Sequence, residues 1–491
     1  MQPTSSSIII LPIELLQLIL SYLPDITSLQ AAVSSHPAFY DAFRMGRSMV
    51  VTEILTRLVT VELLPEAVAV FEAWCRWPCT REDCREVMDR FVEMHKNKEK
   101  SRGFLVVPAP LSLYEASAFQ RVHQDVSFFA ERFALSALDA LQQLSTSSST
   151  TTAVWQPAPV SPLEWRRIQR AFYRFHLYCL LCRQLDLDYQ REGPAASAAA
   201  ERSLLPCQVE YFVQRFSPCE REQIACVCDF LFEVLEEPFT EIASHDIWWA
   251  LQGVHWVDLW PRDATDNAWK RNFLSYGLTY LRRVVEAKTY DERYQLLTPK
   301  LGFQQVFLQK WLQWEEESEQ SNHGDGDGGD YYNHLLSSDP DPGPELAFAQ
   351  LQFHQGSYDN DTPSQNQNQS QNQSPDSKRH QIMPMTTAAG AAGTPSLRTA
   401  RLAGYVMWDR ARILNNPSNN FNLNFDFYSA ETAAPQQRQL TPTEWLHHQD
   451  ARHSLFRRRE LFLRGARGWW SKDDESRLEW TGVDYYNLDE I

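Results

Sequence analysis

The chain has 491 residues, 43% of them apolar, and a formal net charge of −17. That length and apolar content allow a large buried core over roughly two or three domains. The acidity argues against general affinity for nucleic acid or acidic membranes, which need clustered Lys and Arg, and nine scattered cysteines do not resemble a dense secreted framework.

The chain opens on a very apolar segment, Leu11-Pro12-Ile13-Glu14-Leu15-Leu16-Gln17-Leu18-Ile19-Leu20-Ser21-Tyr22-Leu23-Pro24. Pro12 suits a first helical turn and Pro24 ends the helix. Leu15, Leu18, Ile19 and Tyr22 fall on one stripe at helical spacing, and Leu16, Leu20 and Leu23 on a second. One stripe is expected to face the protein's own fold; the other then needs a partner or more of the chain to shield it from water. A membrane span is not expected, because residues 8–23 are shorter than the roughly 20 residues needed and include Pro12, Glu14 and Gln17. Residues 1–7 contain no Lys or Arg to open a secretory signal. The expected location is intracellular, cytoplasmic or nuclear, with reduced thiols.

Asp25-Ile26-Thr27-Ser28 offers capping side chains ahead of Leu29, Ala32 and Val33, and Ser34-Ser35-His36-Pro37 breaks the chain before Phe39, Tyr40 and Phe43. Three short helices in quick succession over residues 11–44 resemble the F-box, the module by which substrate receptors dock on the small adaptor subunit of cullin–RING ubiquitin ligases. Leu11-Pro12-x-Glu14-Leu15, Ile19-Leu20-x-Tyr22-Leu23, Leu29 and Val33 carry the resemblance. It implies a partner-binding set of Leu11, Pro12, Glu14, Leu15, Leu18, Ile19, Tyr22, Leu23, Leu29 and Val33. Many F-boxes place a basic residue and a tryptophan where this chain has Ser35-His36-Pro37-Ala38-Phe39-Tyr40. The alternative is an amphipathic hairpin packed wholly on the following helices.

Beyond it the pattern stays helical. Val51, Ile54, Leu55, Leu58 and Val61, then Ala67, Val70, Phe71 and Trp74, repeat at helical spacing, as do Phe119, Val122, Val126, Phe129 and Phe133. Ser161-Pro162 opens a helix with a basic face and an aromatic face, and Ser217-Pro218 opens another through Ile224, Val227, Phe230 and Leu235. Further helices are expected at Trp269 to Tyr290 and Phe303 to Glu319. Acidic and Asn/Gln-rich composition marks residues 318–395 as a mostly disordered insertion. Tyr405, Val406 and Trp408, with Trp445, Leu455, Phe456, Leu461 and Phe462, are then expected to pack back on the helices around Trp165 to Leu181. The expectation is a mainly α protein. An F-box-like module at 8–45 precedes a helical receptor or scaffold domain at 49–317; the insertion at 318–395, returning helical segments at 396–475 and an acidic tail at 476–491 follow. The segments beginning at Ser161 and Gly404 also resemble large fungal F-box-like proteins without an established activity, which implies a helical receptor region and no catalytic residues.

Other chemical patterns have structural explanations. Cys179 and Cys182 share a CxxC spacing inside an apolar helix, where core packing outweighs a zinc or redox role. Cys75, Cys79, Cys84 and His95 form a weak metal pattern. His447, His448 and His453 suit an exposed polar face, and Asp325-Gly326-Asp327-Gly328 lacks the ligand spacing of a calcium loop. Trp248, Trp249, Trp256, Trp260 and Trp269 are read mainly as core, with a protein-binding role as the alternative. No cofactor, metal or catalytic group is expected; the expected partners are the ligase adaptor and an unidentified substrate protein.

Overall fold

A computed structural model describes residues 11–96, 111–148, 158–191, 208, 211–251, 254, 264–297, 339–348, 397–414 and 442–482. The chain is mainly α, as expected. Helix α1 spans Ile13–Ser21, α2 Ile26–Ser35, α3 Pro37–Leu58, α4 Leu64–Cys75, α5 Arg81–Lys96, α6 Leu113–Ser148, α7 Pro162–Arg191 and α8 Pro218–His245. Shorter helices follow, α9 at Ile247–Leu251, α10 at Ala264–Leu274, α11 at Leu278–Glu286, α12 at Tyr290–Leu297, α13 at Leu397–Leu402 and α14 at Arg410–Leu414, before the 22-residue α15 at Pro442–Leu463. The sequence reading missed a two-stranded antiparallel sheet, β1 (Ala466–Gly468) and β2 (Leu478–Trp480), because three-residue strands are too short to show alternation. β2 lies within the stretch expected to be an acidic tail.

Side chains at the helix starts explain several boundaries. Asp25 Oδ1 accepts from Ser28 N at 2.6 Å to cap α2, and His36 Nδ1 accepts from Ala38 N at 3.0 Å to cap α3. Helices α6, α7 and α8 each open with a reciprocal Ser-x-x-Glu box, formed by Ser112 with Glu115, Ser161 with Glu164 and Ser217 with Glu220. α3 is two helical segments joined at a kink: Gly46 (φ −114°, ψ 20°) leaves the helical region, and an added Cβ there would approach Gln17 Cδ to 2.7 Å. The kink falls beside the expected boundary between 45 and 49.

Helices α6, α7 and α8 form the centre. Phe129 and Phe133 of α6, Phe172 of α7 and Phe230 of α8 interlock there, with ring centroids 5.3 to 6.2 Å apart. The basic face of α7 also points inward. Glu66 of α4 is fully buried, with Arg174 Nη2 at 3.1 Å, His95 Nε2 at 3.2 Å and Arg170 Nε at 3.7 Å. Burial alone raises the Glu66 pKa, but His95, Arg174 and Arg170 more than offset it and hold the carboxyl well below the usual range. Arg174 Nη1 also donates to Glu220 Oε1 at 2.8 Å.

Residues 405–408 are buried against this centre. Gln223 of α8 donates to the Val406 carbonyl at 3.2 Å, and Arg167 of α7 donates to the Met407 carbonyl at 2.5 Å. Trp408 is enclosed with its Nε1 donating to Ala403 O at 2.8 Å. The later C-terminal helix docks elsewhere. α15 packs at the end of α8 and on α9 through Leu461 beside Ile247, Ala466 and Trp470, while Phe456 is exposed. Buried Arg458 fixes this placement by donating to the carbonyls of Ala243 (2.6 Å) and Asp246 (2.7 Å) at the C-terminal end of α8.

One part of the stretch at 318–395 is ordered. Residues 339–348 lie against the body, with Asp339 paired to Arg167 and Ala347 fully buried. Composition does not show this, because the groups that hold the segment, Arg167 and the Arg410 backbone among them, lie far along the chain. The rest of that stretch, including residues 325–328, lies outside the described residues, as do Trp256, Trp260 and the helix expected from Phe303 to Glu319.

Trp408→Ala should cost about 3–5 kcal/mol, the usual range for emptying a buried aromatic site, measurable as a lower urea midpoint. Acid should also destabilise the protein. Burial lowers the His176 pKa to about 4, while its Nδ1 accepts from Leu278 N. Because the unfolded imidazole takes up a proton first, the neutral form's contribution is present at pH 7 and is lost as pH falls from about 6.5 toward 4, on the order of 3 kcal/mol. Asp246 has the opposite sign: burial raises its pKa to about 6, so the folded state gains relative stability from protonation as pH falls from about 6 toward 4. Asp246→Asn should therefore steepen the loss of melting temperature across that window; an unchanged slope would refute the assignment.

Candidate protein-docking face

The two stripes read in α1 separate in space. Leu16 and Leu20 are 3% and 1% exposed, whereas Leu15, Leu18 and Tyr22 are 45%, 49% and 71% exposed. Ile19 and Leu11 are exposed beside them, Pro12 and Glu14 are exposed at the start of the helix, and Leu23 is half-buried against the core. Helix α3, on which α1 packs, exposes Tyr40, Met45 and Met49. Half of the large apolar side chains exposed among the described residues lie between Leu11 and Met49. Scattered exposed apolar residues are ordinary, and it is this density along one short segment that makes it the candidate face.

The face has a firm support. Gln17 Nε2 donates to the Ala42 carbonyl at 3.1 Å, holding the middle of α1 on α3. Arg57 donates to the carbonyls of Ser21 and Leu23, the latter at 3.0 Å, and its guanidinium lies 5.5 Å from the Tyr22 ring centroid. It thus satisfies orphan carbonyls at the end of α1 and braces Tyr22.

Leu29 and Val33, assigned above to the partner-binding set, are buried instead. Their helix is covered by α3 and α6: Ile26 N donates to Gln120 Oε1 at 2.6 Å, and Gln30 Nε2 donates to Ser117 Oγ at 2.7 Å. They anchor α2 and offer no free surface. The sequence reading also omitted Met45 and Met49, whose only local signal was apolar character beside a flexible Gly46.

The other groups singled out do not converge. Cys79 Sγ contacts the Ala73 carbonyl at 3.4 Å, Cys84 Sγ contacts the Leu181 carbonyl at 3.3 Å, and His95 lies beside Glu66. Cys75 is exposed, while Cys179 and Cys182 are buried in α7. Among the described residues no cluster of His, Cys, Asp and Glu is arranged to hold a metal, and no helix is long and apolar enough to cross a membrane. Trp249 and Trp269 are buried with ring centroids 4.8 Å apart, and Trp248 packs on both. His453 sits on α15 at its surface, and the side chains of His447 and His448 lie outside the described residues. No family model, curated protein or solved structure matches the chain.

The division of α1 gives a direct test. Leu15→Asp should change folding free energy by no more than about 0.5 kcal/mol, as at most surface positions. Leu16→Asp should cost several times more, because it buries an unpaired carboxylate. Denaturant titrations giving equal losses would contradict the two-faced helix.

Proposed function

We propose that the chain is a non-catalytic substrate receptor that docks through its N-terminal face on the adaptor subunit of a cullin–RING ubiquitin ligase. The observation that carries this reading is the stripe Leu15, Leu18, Ile19 and Tyr22, left exposed among the described residues on a helix whose opposite stripe is buried. The F-box-like pattern begins with Leu11, Pro12 and Glu14 at the head of that stripe. Burying such a patch in a partner contributes roughly 25 cal/mol per Å² of apolar area before the costs of association. Ubiquitin transfer belongs to the other ligase subunits, and the helical body presents an unidentified protein to them. The corresponding location is the cytoplasm or nucleus.

A second reading is a helical scaffold whose N-terminal hairpin serves only the protein's own core. The buried Leu29 and Val33 and the bonds from Gln120 to α2 favour it.

The combined variant Leu15→Asp and Ile19→Asp separates the two. On the docking reading it should reduce co-purification of the adaptor at least tenfold while melting temperature and helical circular dichroism stay near wild type. Undiminished adaptor capture would overturn that reading, and unfolding of the variant would favour the scaffold.

A further inference from the structure

Residues 339–348 have the properties of a bound peptide. They read Asp339-Pro340-Asp341-Pro342-Gly343-Pro344-Glu345-Leu346-Ala347-Phe348 and are joined to α12 and α13 only through residues 298–338 and 349–396. Asp339 places Oδ2 2.6 Å from Arg167 Nε and Oδ1 3.0 Å from Arg167 Nη2, a bidentate carboxylate–guanidinium pair. Asp341 Oδ1 accepts from the Arg410 backbone N at 3.0 Å and from Gly343 N at 2.6 Å, fixing the turn against the body. At Gly343 an added Cβ would come within 2.4 Å of Arg410 N, so the backbone must approach closely here. Past the turn Pro344 and Ala347 are buried and Phe348 packs on the core, whereas Leu346 faces outward. The sequence thus supplies a charged anchor, a glycine that permits close approach and an apolar end. Prolines at alternate positions restrict the free segment and reduce the ordering cost of binding.

The receiving side keeps its own support. Arg167 is 1% exposed; its Nη1 donates to the Met407 carbonyl at 2.5 Å, and Nη1 and Nη2 each approach Asp409 Oδ1 at 3.3 Å. Without Asp339 the guanidinium retains these partners, leaving the Nε–H and the second N–H of Nη2 as a positioned fork for a carboxylate. We infer that the Arg167 fork, the Arg410 amide and the adjoining apolar seat form a recognition site for an acidic Asp-Pro-Asp-Pro-Gly segment, occupied by residues 339–348 in cis and open to a partner protein's segment of the same chemistry in trans. The inference is independent of the N-terminal docking reading. It also implies self-occlusion. A tethered segment acts at an effective concentration on the order of millimolar, so an equally tight partner present at micromolar levels is outcompeted about a thousandfold.

The test uses the full chain with Asp339→Asn and Asp341→Asn, which weakens the cis anchor while retaining similar side-chain volume. The probe is a fluorescent synthetic peptide comprising residues 337–350. Anisotropy should show binding to this variant at least a hundredfold tighter than to wild type. The same peptide carrying Asp339→Asn should bind at least tenfold more weakly. Failure of the parent peptide to bind a folded variant, or equal binding by the altered peptide, would overturn the proposal. If the variant fails to fold, protease sites at 321–327 and 365–371 of the otherwise unaltered chain provide a second measurement. After cleavage, dilution should release the segment from a body that stays monomeric, and added peptide should rebind; a body that unfolds on release, or does not rebind the peptide, would overturn the proposal.

Discussion

Arginines at 167, 170 and 174 of α7 face inward, and a guanidinium taken out of water must find carboxylates or carbonyls. Their partners come from distant parts of the chain: Glu66 from α4, Glu220 from α8, Asp339 from the segment at 339–348, and Asp409 from the stretch before α14. Each pairing closes a long loop and selects one arrangement among the many that apolar burial alone would tolerate. Buried pairs contribute little net stability because desolvation offsets attraction, but removing one partner leaves an exposed penalty of several kcal/mol. Around α7 the apolar surfaces supply the drive to collapse, while the arginine row restricts which segments can meet there.

The interlocked phenylalanines occupy the opposite demand on α7. Phe172 meets rings from α6 and α8, so the same helix presents a nonspecific aromatic face and a selective charged face. This division explains why residues 405–408 settle where both are available: Trp408 is enclosed while Asp409 meets Arg167 and Glu164 accepts from its backbone. α15 follows a separate set of constraints, since Arg458 donates to the carbonyls at the end of α8, beside the Asp246 carboxylate.

Local signals made much of this fold legible. The Ser-Pro openings at 161 and 217 mark real helix starts because their caps are built within three residues, and the Ser112 to Glu115 box carries the same signal. The two stripes of α1 were legible because helical spacing alone separates Leu16 and Leu20 from Leu15 and Leu18. The orientation of α2 was not. Leu29 and Val33 look as available in sequence as the α1 stripe, and only the distant Gln120 contacts show which surface of α2 is covered. Residues 339–348 were missed for a related reason: a composition with few apolar residues cannot reveal that Arg167 supplies an anchor elsewhere in the chain. Spacing likewise suggested a thiol cluster that folding disperses, with Cys79 and Cys84 contacting different carbonyls.

The kink in α3 gives the N-terminal face a mechanical property. Gly46 interrupts the helix between a segment that exposes Tyr40 and Met45 and a segment that buries Val50, Val51, Ile54 and Leu55. Gln17 packs against Gly46 and donates to the Ala42 carbonyl before the kink, while Arg57, after it, donates to the carbonyls of Ser21 and Leu23. Helix α1 therefore bridges both segments of α3 and splints the joint between them. The aim of the exposed stripe is set at that joint, so lengthening or softening it would redirect the stripe without changing any side chain on it.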